Sequence, residues 1–256
     1  MITRRKFIKT TGALAAGLGP SLYFPERVAS MKTDKKPVKA LVFDAYGTLF
    51  DVRSVITAIN QKFPGLGPAV SNEWRTKQLE YTWLRSSMGR YEDFWKVTES
   101  ALVFTCNDMK LTCDAATRAQ LMESYLHLDP FPEVRQALKS LSGRPLAILS
   151  NGTLKMLQAV VESAGLRGTF VHIISVDEVR TYKPSPAAYQ LAVRKLGVDK
   201  TDIGFVSSNF WDDAGAKAFG FRTYWVNRSG APADELGVMP DATLTSLTDL
   251  VDLIKA

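Results

Sequence analysis

Asp44, Ser150, Lys183 and Asp212 each stand at or just beyond the end of a short apolar run, and each has polar neighbours. Asp44 is followed by Tyr46 and Thr48, and Ser150 by Asn151 and Gly152. Lys183 lies a few residues past a third run, and a fourth leads into Ser207, Ser208, Asn209, Trp211 and Asp212. If the runs are strands of one parallel sheet, these groups meet along its carboxyl edge, where ligands of such sheets bind. A buried acid beside a lysine stays ionised, and an ionised carboxylate withdrawn from water can act as a nucleophile. Attack by Asp44 is the chemistry this set permits. Rival chemistries lack their parts: His127 and His172 are the only histidines, and no GxSxG surrounds the candidate serines. Neither a glycine-rich phosphate loop nor a cluster of metal-ligating residues is present, so no metal and no cofactor is expected.

The elements that would carry these residues follow from hydrophobic periodicity. Residues 38–44, 145–150, 172–176, 203–207 and 223–226 are apolar and rich in β-branched or aromatic side chains, which predicts buried strands. Helical periodicity marks 154–164, 187–196 and 214–219, each followed at once by glycine, a frequent helix stop. Strands alternating with helices predict an α/β fold, a doubly wound, Rossmann-like parallel sheet covered on both faces. About a hundred residues separate the first strand from the second, far more than a crossover needs. Helical segments at 73–88, 91–105 and 114–128 fill that gap. An α-helical cap inserted after the first strand is therefore expected, with 31–51 and 131–256 as core and 52–130 as cap.

With 46% hydrophobic residues in 256 there is ample material for a core. The formal charge of +6 is misleading, because residues 1–30 hold Arg4, Arg5, Lys6, Lys9 and Arg27 against Glu26 alone, which leaves +2 for the rest. The remaining bases are dispersed, so no nucleic-acid partner is expected. Adjacent arginines followed by Phe7, Ile8, Lys9 and a mildly apolar run to Phe24 have the layout of a twin-arginine export signal, which predicts a periplasmic protein. That run is too short and too rich in glycine for a permanent span. Cleavage is expected after Ser30, with an uncleaved tether as the alternative. Cys106 and Cys113 are seven residues apart without further ligands nearby, and are expected to be two small buried thiols. Trp83, Trp95 and Trp225 are expected to pack in the core or the inserted lobe.

The segments FDAYGTLFD, WRTKQLEYTWLRSSMGRYEDFW, LSNG, YKPSPAAY and FVSSNFWDDAGAKAFGFRTYWVNR resemble the L-2-haloacid dehalogenases of the haloacid dehalogenase superfamily, from about residue 39 to the C-terminus. The resemblance implies a small halogenated carboxylate substrate, attack by Asp44 on the halogen-bearing carbon, an ester, and hydrolysis to a 2-hydroxy acid of inverted configuration. It implies that Thr48 orients the nucleophile, that Ser150 and nearby amides hold the substrate carboxylate, and that Lys183, supported by Tyr189, keeps Asp44 ionised. Ser207, Asn209 and Asp212 would form a hydrogen-bonded floor, with Asp212 as partner of Lys183 and helper of the hydrolytic water. Arg75 would receive the halide, since a guanidinium stays charged and is weakly hydrated. Tyr46, Leu79, Phe94 and Trp211 would form an apolar wall, with Asn151 beside the substrate. A homodimer through the cap helices is also implied. Superfamily phosphatases carry a second acid two residues after the nucleophile and a magnesium-binding acid in the fourth motif; these positions fall at Tyr46 and Ser208. A halide needs neither a proton nor magnesium to leave. Two alternatives stay open: a phosphatase-like hydrolase of the same superfamily, and a non-catalytic binder of small carboxylates.

Overall fold

The computed structural model describes residues 37–255; the expected export signal at 1–30 lies outside them. Strands β1 (Ala40–Phe43), β2 (Leu146–Ser150), β3 (His172–Ser175), β4 (Ile203–Ser207), β5 (Arg222–Val226) and β6 (Ala242–Leu244) form one sheet in the order β3-β2-β1-β4-β5-β6. Every neighbouring pair is parallel. β1, β2 and β4 are buried along their whole length, as continuous apolar strands covered on both faces must be. The chain works outward from β1 to β3, then returns beside β1 and works the other way, so the topological switch lies between β1 and β4. Asp44 and Ser208 follow those two strands directly.

The helices are α1 (Ile56–Lys62), α2 (Gly67–Ser87), α3 (Phe94–Asp108), α4 (Ala115–Ser124), α5 (Val134–Leu141), α6 (Leu154–Ser163), α7 (Pro186–Leu196), α8 (Phe210–Phe219) and α9 (Leu247–Lys255). α6, α7 and α8 answer to the three periodic segments, and the glycines that follow them, Gly165, Gly197 and Gly220, all take positive φ. α8 begins four residues earlier than its periodicity predicts, with Asp212 and Asp213 in its first turn. Acids there are favoured by the helix dipole. β6 and α9 lie beyond the predicted elements; a three-residue edge strand carries too little pattern to register.

Helices α1 to α4 form the insertion between β1 and β2. It leaves and returns through a narrow neck: Phe50 bridges Pro130, the Asp51 N–H donates to the Asp129 carbonyl at 2.8 Å, and the Phe131 N–H to that of Leu49 at 3.1 Å. α2 and α3 are joined by Trp74, whose indole donates to the Thr98 carbonyl at 2.8 Å. Asp93 and Asp114 cap α3 and α4 through their carboxylates. Cys106 is buried on α3, but Cys113 is only half-buried, because the helix ends before it and the chain turns into the loop towards α4. Burial, with Cys113 beside it, pushes the Cys106 thiol up to about 12. Trp225 packs in the core against Phe210 as expected, whereas Trp83 is 38% exposed and meets Trp211 edge-on at 5.5 Å. The expectation of core packing fails for Trp83 because it faces the seam between the insertion and the sheet domain.

Two features of α8 tie fold to site. A Cβ on Gly215 would stand 2.4 Å from the Pro184 side chain and 2.6 Å from the Tyr189 hydroxyl, so α8 presses on the segment that carries Lys183. Asp213, one residue beyond Asp212, is wholly buried; among the described residues neither of its oxygens is held in good hydrogen-bond geometry, although the Thr223 hydroxyl lies close enough to pull against the effect of burial. Burial pushes its carboxyl up to about 8. In the unfolded chain the same group ionises near 4, so between those values unfolding releases a proton. Stability should therefore fall as pH rises from ~4 to ~8, by on the order of 5 kcal/mol for this group, and be flat above. Asp213→Asn is expected to remove that slope: its unfolding midpoint should exceed the parent's at pH 8 and converge with it towards pH 4, as measured by thermal denaturation.

Candidate active site

Asp44 sits where β1 ends, 5% exposed, and both oxygens of its carboxylate are held. Oδ1 accepts from the Lys183 ammonium at 2.8 Å; Oδ2 accepts from the Thr48 hydroxyl and the Asn209 amide, both at 2.9 Å. The turn after β1 brings Thr48 back one turn onto Asp44, and the Ser208 N–H donates to the Thr48 hydroxyl at 2.9 Å, which aims the hydroxyl proton at the carboxylate. Asn209 also donates to the Tyr46 carbonyl at 3.1 Å. Its amide group thus spans Asp44 and the backbone two residues on.

Lys183 is 1% exposed, and its ammonium has three acceptors: Asp44, the Leu149 carbonyl at 3.1 Å and Asp212 at 2.6 Å. Burial disfavours its charge, yet Asp212 and Asp44 together outweigh burial and its pKa is raised. Asp212 is fully buried; Ser207 donates to it at 3.3 Å and Tyr189 at 2.8 Å. Burial pushes the Asp212 carboxyl up to about 6 against the pull of Lys183. Tyr189 therefore supports Lys183 through Asp212 rather than by contact. With its oxygens already taken by Lys183, Ser207 and Tyr189, Asp212 is brought to the ammonium and not to open space from which water could arrive.

At the end of β2 the Ser150 hydroxyl accepts from the Gly152 N–H at 3.2 Å, and the Asn151 side-chain carbonyl accepts from the Lys183 N–H at 3.0 Å. Asn151 thus fixes the backbone of Lys183. Gly152 is required by its neighbour, since a Cβ there would lie 2.7 Å from the Tyr46 ring. Among the described residues the buried Tyr46 hydroxyl has no partner, and its ring lies 5.6 Å from that of Phe94, which is buried on α3. Leu79 is half-buried on α2. Trp211 and Lys183 share a cavity of about 320 Å³ with Trp83, Ser86 and Tyr182 at the seam.

Arg75, also on α2, reaches down to the strand ends. One nitrogen donates to the Gln78 side chain at 2.7 Å and another to the Tyr46 carbonyl at 3.4 Å. Among the described residues no carboxylate pairs with it, and burial lowers its pKa. Two residues go beyond the sequence expectations. Arg228, two residues past β5, donates to the Ser208 hydroxyl at 2.8 Å and the Thr48 carbonyl at 3.0 Å, and pairs with Glu133 at 2.7 Å. Reading the end of the fifth strand like the other four would have found it. Gln78, one turn from Arg75, was legible from its i,i+3 spacing.

Of the nine expected catalytic side chains, Asp44, Thr48, Ser150, Lys183, Ser207 and Asn209 thus gather beyond the strand ends, with Asp212 in the first turn of α8, Tyr189 on α7 and Arg75 on α2. The arrangement offers a nucleophile held by three donors, facing an unpaired guanidinium. Among the described residues no cluster of acidic, histidine or cysteine side chains could hold a metal ion. A family model described as haloacid dehalogenase-like hydrolase matches residues 38–220. Haloacetate dehalogenase H-2 of Moraxella is 50% identical over 86% of this chain and 99% of that one. The (S)-2-haloacid dehalogenase of Pseudomonas strain YL is 51% identical over 85% and 95%. The solved L-2-haloacid dehalogenase of Xanthobacter autotrophicus, with chloropropionic acid covalently bound, superposes with a TM-score of 0.82 at 42% identity, covering 86% of this chain and 99% of that one. An Asp44 carboxylate held at the topological switch of a parallel sheet, and a match to the family across most of the described chain, have one conclusion: the chain belongs to the haloacid dehalogenase-like hydrolases.

Proposed function

We propose that this enzyme hydrolyses short L-2-haloacids to D-2-hydroxy acids through an ester on Asp44, and that the helical insertion, residues 52–130, is a cap over the site. The observation that carries the reading is the asymmetry of the Asp44 carboxylate. Oδ2 is occupied by two donors, Thr48 and Asn209, whereas Oδ1 accepts from Lys183 alone and keeps a lone pair for attack. Oδ1 displaces the halide with its bonding electron pair, towards Arg75, and the ester forms. Oδ2 is then the ester carbonyl oxygen, and the same two donors become an oxyanion hole when water adds to the carbonyl carbon. Collapse expels the hydroxy acid with the oxygen that attacked and restores the carboxylate, with one proton released.

Ser150 and the amino end of α6 suit the substrate carboxylate, and Tyr46, Leu79, Phe94 and Trp211 exclude water from the reacting carbon. Asn151 contributes by fixing Lys183, and Asp212, Ser207 and Tyr189 by holding its ammonium. The names of the relatives and the covalent chloropropionate in the Xanthobacter structure support this reading. A phosphatase-like reading is disfavoured by the Asn209 amide, which donates to the two oxygens, of Asp44 and Tyr46, that a cation would need as acceptors. Exposed Leu84 on α2 and Met88 just past its end support the homodimer through the cap, and the twin-arginine layout of residues 1–30 supports export to the periplasm by that machinery.

Chelator-treated protein given each enantiomer of 2-chloropropionate should release chloride over many turnovers from the L form only, and Asp44→Asn should release none. Magnesium-dependent phosphate release with no halide release would favour the phosphatase reading instead, and a single stoichiometric burst the binder. Turnover should also fall as pH is lowered through about 6, because a protonated Asp212 no longer holds the Lys183 ammonium in place. A pH profile of kcat, flat down to pH 4, would contradict that.

A further inference from the structure

Gln78 is wholly buried in the α2–α3 seam, yet it is a polar residue with no contact to Asp44. With the Tyr125 hydroxyl beside it, its bonds to Thr98 and Arg75 still run in one direction only. The Thr98 hydroxyl donates to the Phe94 carbonyl at 2.6 Å, which spends its single proton, so towards Gln78 it can only accept. The Gln78 amide nitrogen therefore donates to Thr98, at 2.7 Å, and the amide oxygen must face Arg75, whose guanidinium donates to it at 2.7 Å. Thr98 is itself fixed on α3 by the Trp74 indole bonded to its carbonyl. Arg75 is thus anchored along one edge by a chain that ends on the backbone of Phe94.

The anchor is neutral, and that is its chemical point. A carboxylate in the same place would hold the guanidinium equally well but would form a buried ion pair with it, cancelling the charge a departing halide needs. We propose that Gln78 is a positioning residue for halide release: it fixes the Arg75 guanidinium with an uncharged acceptor, so that the cation stays oriented over the strand ends and electrostatically unspent. This rests on the reading of Arg75 as the halide acceptor.

The test compares Gln78→Glu, which keeps shape and the acceptor towards Arg75 but adds charge and loses the donor towards Thr98, with Gln78→Met, which loses both bonds and adds no charge. Turnover of L-2-chloropropionate is followed by hydroxy-acid formation, with inhibition by added sodium bromide and thermal midpoints measured on the same proteins. A merely structural role makes turnover follow the thermal midpoint, the less stable variant being the slower. The proposal expects the opposite order for function: about 100-fold loss of turnover and loss of bromide inhibition in Gln78→Glu, with a midpoint at or above that of Gln78→Met, and a smaller, about tenfold loss in Gln78→Met. Gln78→Glu equal to or better than Gln78→Met in turnover and bromide inhibition overturns it. Arg75→Met separates the two layers. If that variant keeps turnover and bromide inhibition, the halide-acceptor reading itself is wrong. If it loses both while Gln78→Glu keeps them, only the role of Gln78 fails.

Discussion

One buried ammonium organises the edge of this sheet. Lys183 has three protons and three acceptors, and those acceptors come from three different parts of the fold: Asp44 beyond β1, the Leu149 carbonyl in β2 and Asp212 in α8. Three buried charges are costly to desolvate, and such a group survives only where every donor and acceptor is met. Strand register is consequently a chemical requirement, since a slip of one residue would turn Asp44 or Leu149 away from the ammonium. Gly215 lets α8 close on the Lys183 segment, and Asn151 holds its backbone from the other side.

Two carboxylates and one ammonium sum to a net negative charge at a site proposed to bind an anion. Arg75, delivered by the insertion, restores the balance from the open side, which is why a helix far from the sheet in sequence belongs to the same electrostatic unit. The donors around Asp44 also decide which superfamily chemistry fits. Where a magnesium-dependent enzyme needs free lone pairs, this chain offers the Asn209 amide, and the Ser208 hydroxyl is taken by Arg228. Both features disfavour cation binding and suit an ester formed at carbon.

Much of this was legible in the sequence, for a physical reason. Continuous apolar strands ending in polar residues announce a parallel sheet with its chemistry at one edge, and Asp44, Ser150 and Ser207 are placed by that rule, whereas the choice of Asp212 over Asp213 owed more to the resemblance. Lys183 follows a 3-10 turn after β3 rather than a strand end, so its position owed more to the resemblance than to periodicity. Arg228 and Gln78 each left a positional signal, one just past a strand end and the other three residues from Arg75, but neither reveals its task by type, because each acts through another side chain. Trp83 misled because a large aromatic on a helix looks the same whether it fills a core or a seam. Asp213 shows the converse, an acid beside the site whose burial speaks to stability.

The claim most open to direct contradiction is that an Asp44 oxygen, and not water, attacks carbon. A single turnover with enzyme in excess over L-2-chloropropionate in ¹⁸O-water, read by mass spectrometry of both product and protein, addresses it. Attack by Asp44 predicts a product without solvent label and one ¹⁸O retained in the peptide that contains Asp44. Label in the product with none in that peptide would mean direct hydrolysis, with Asp44 as a base instead of a nucleophile.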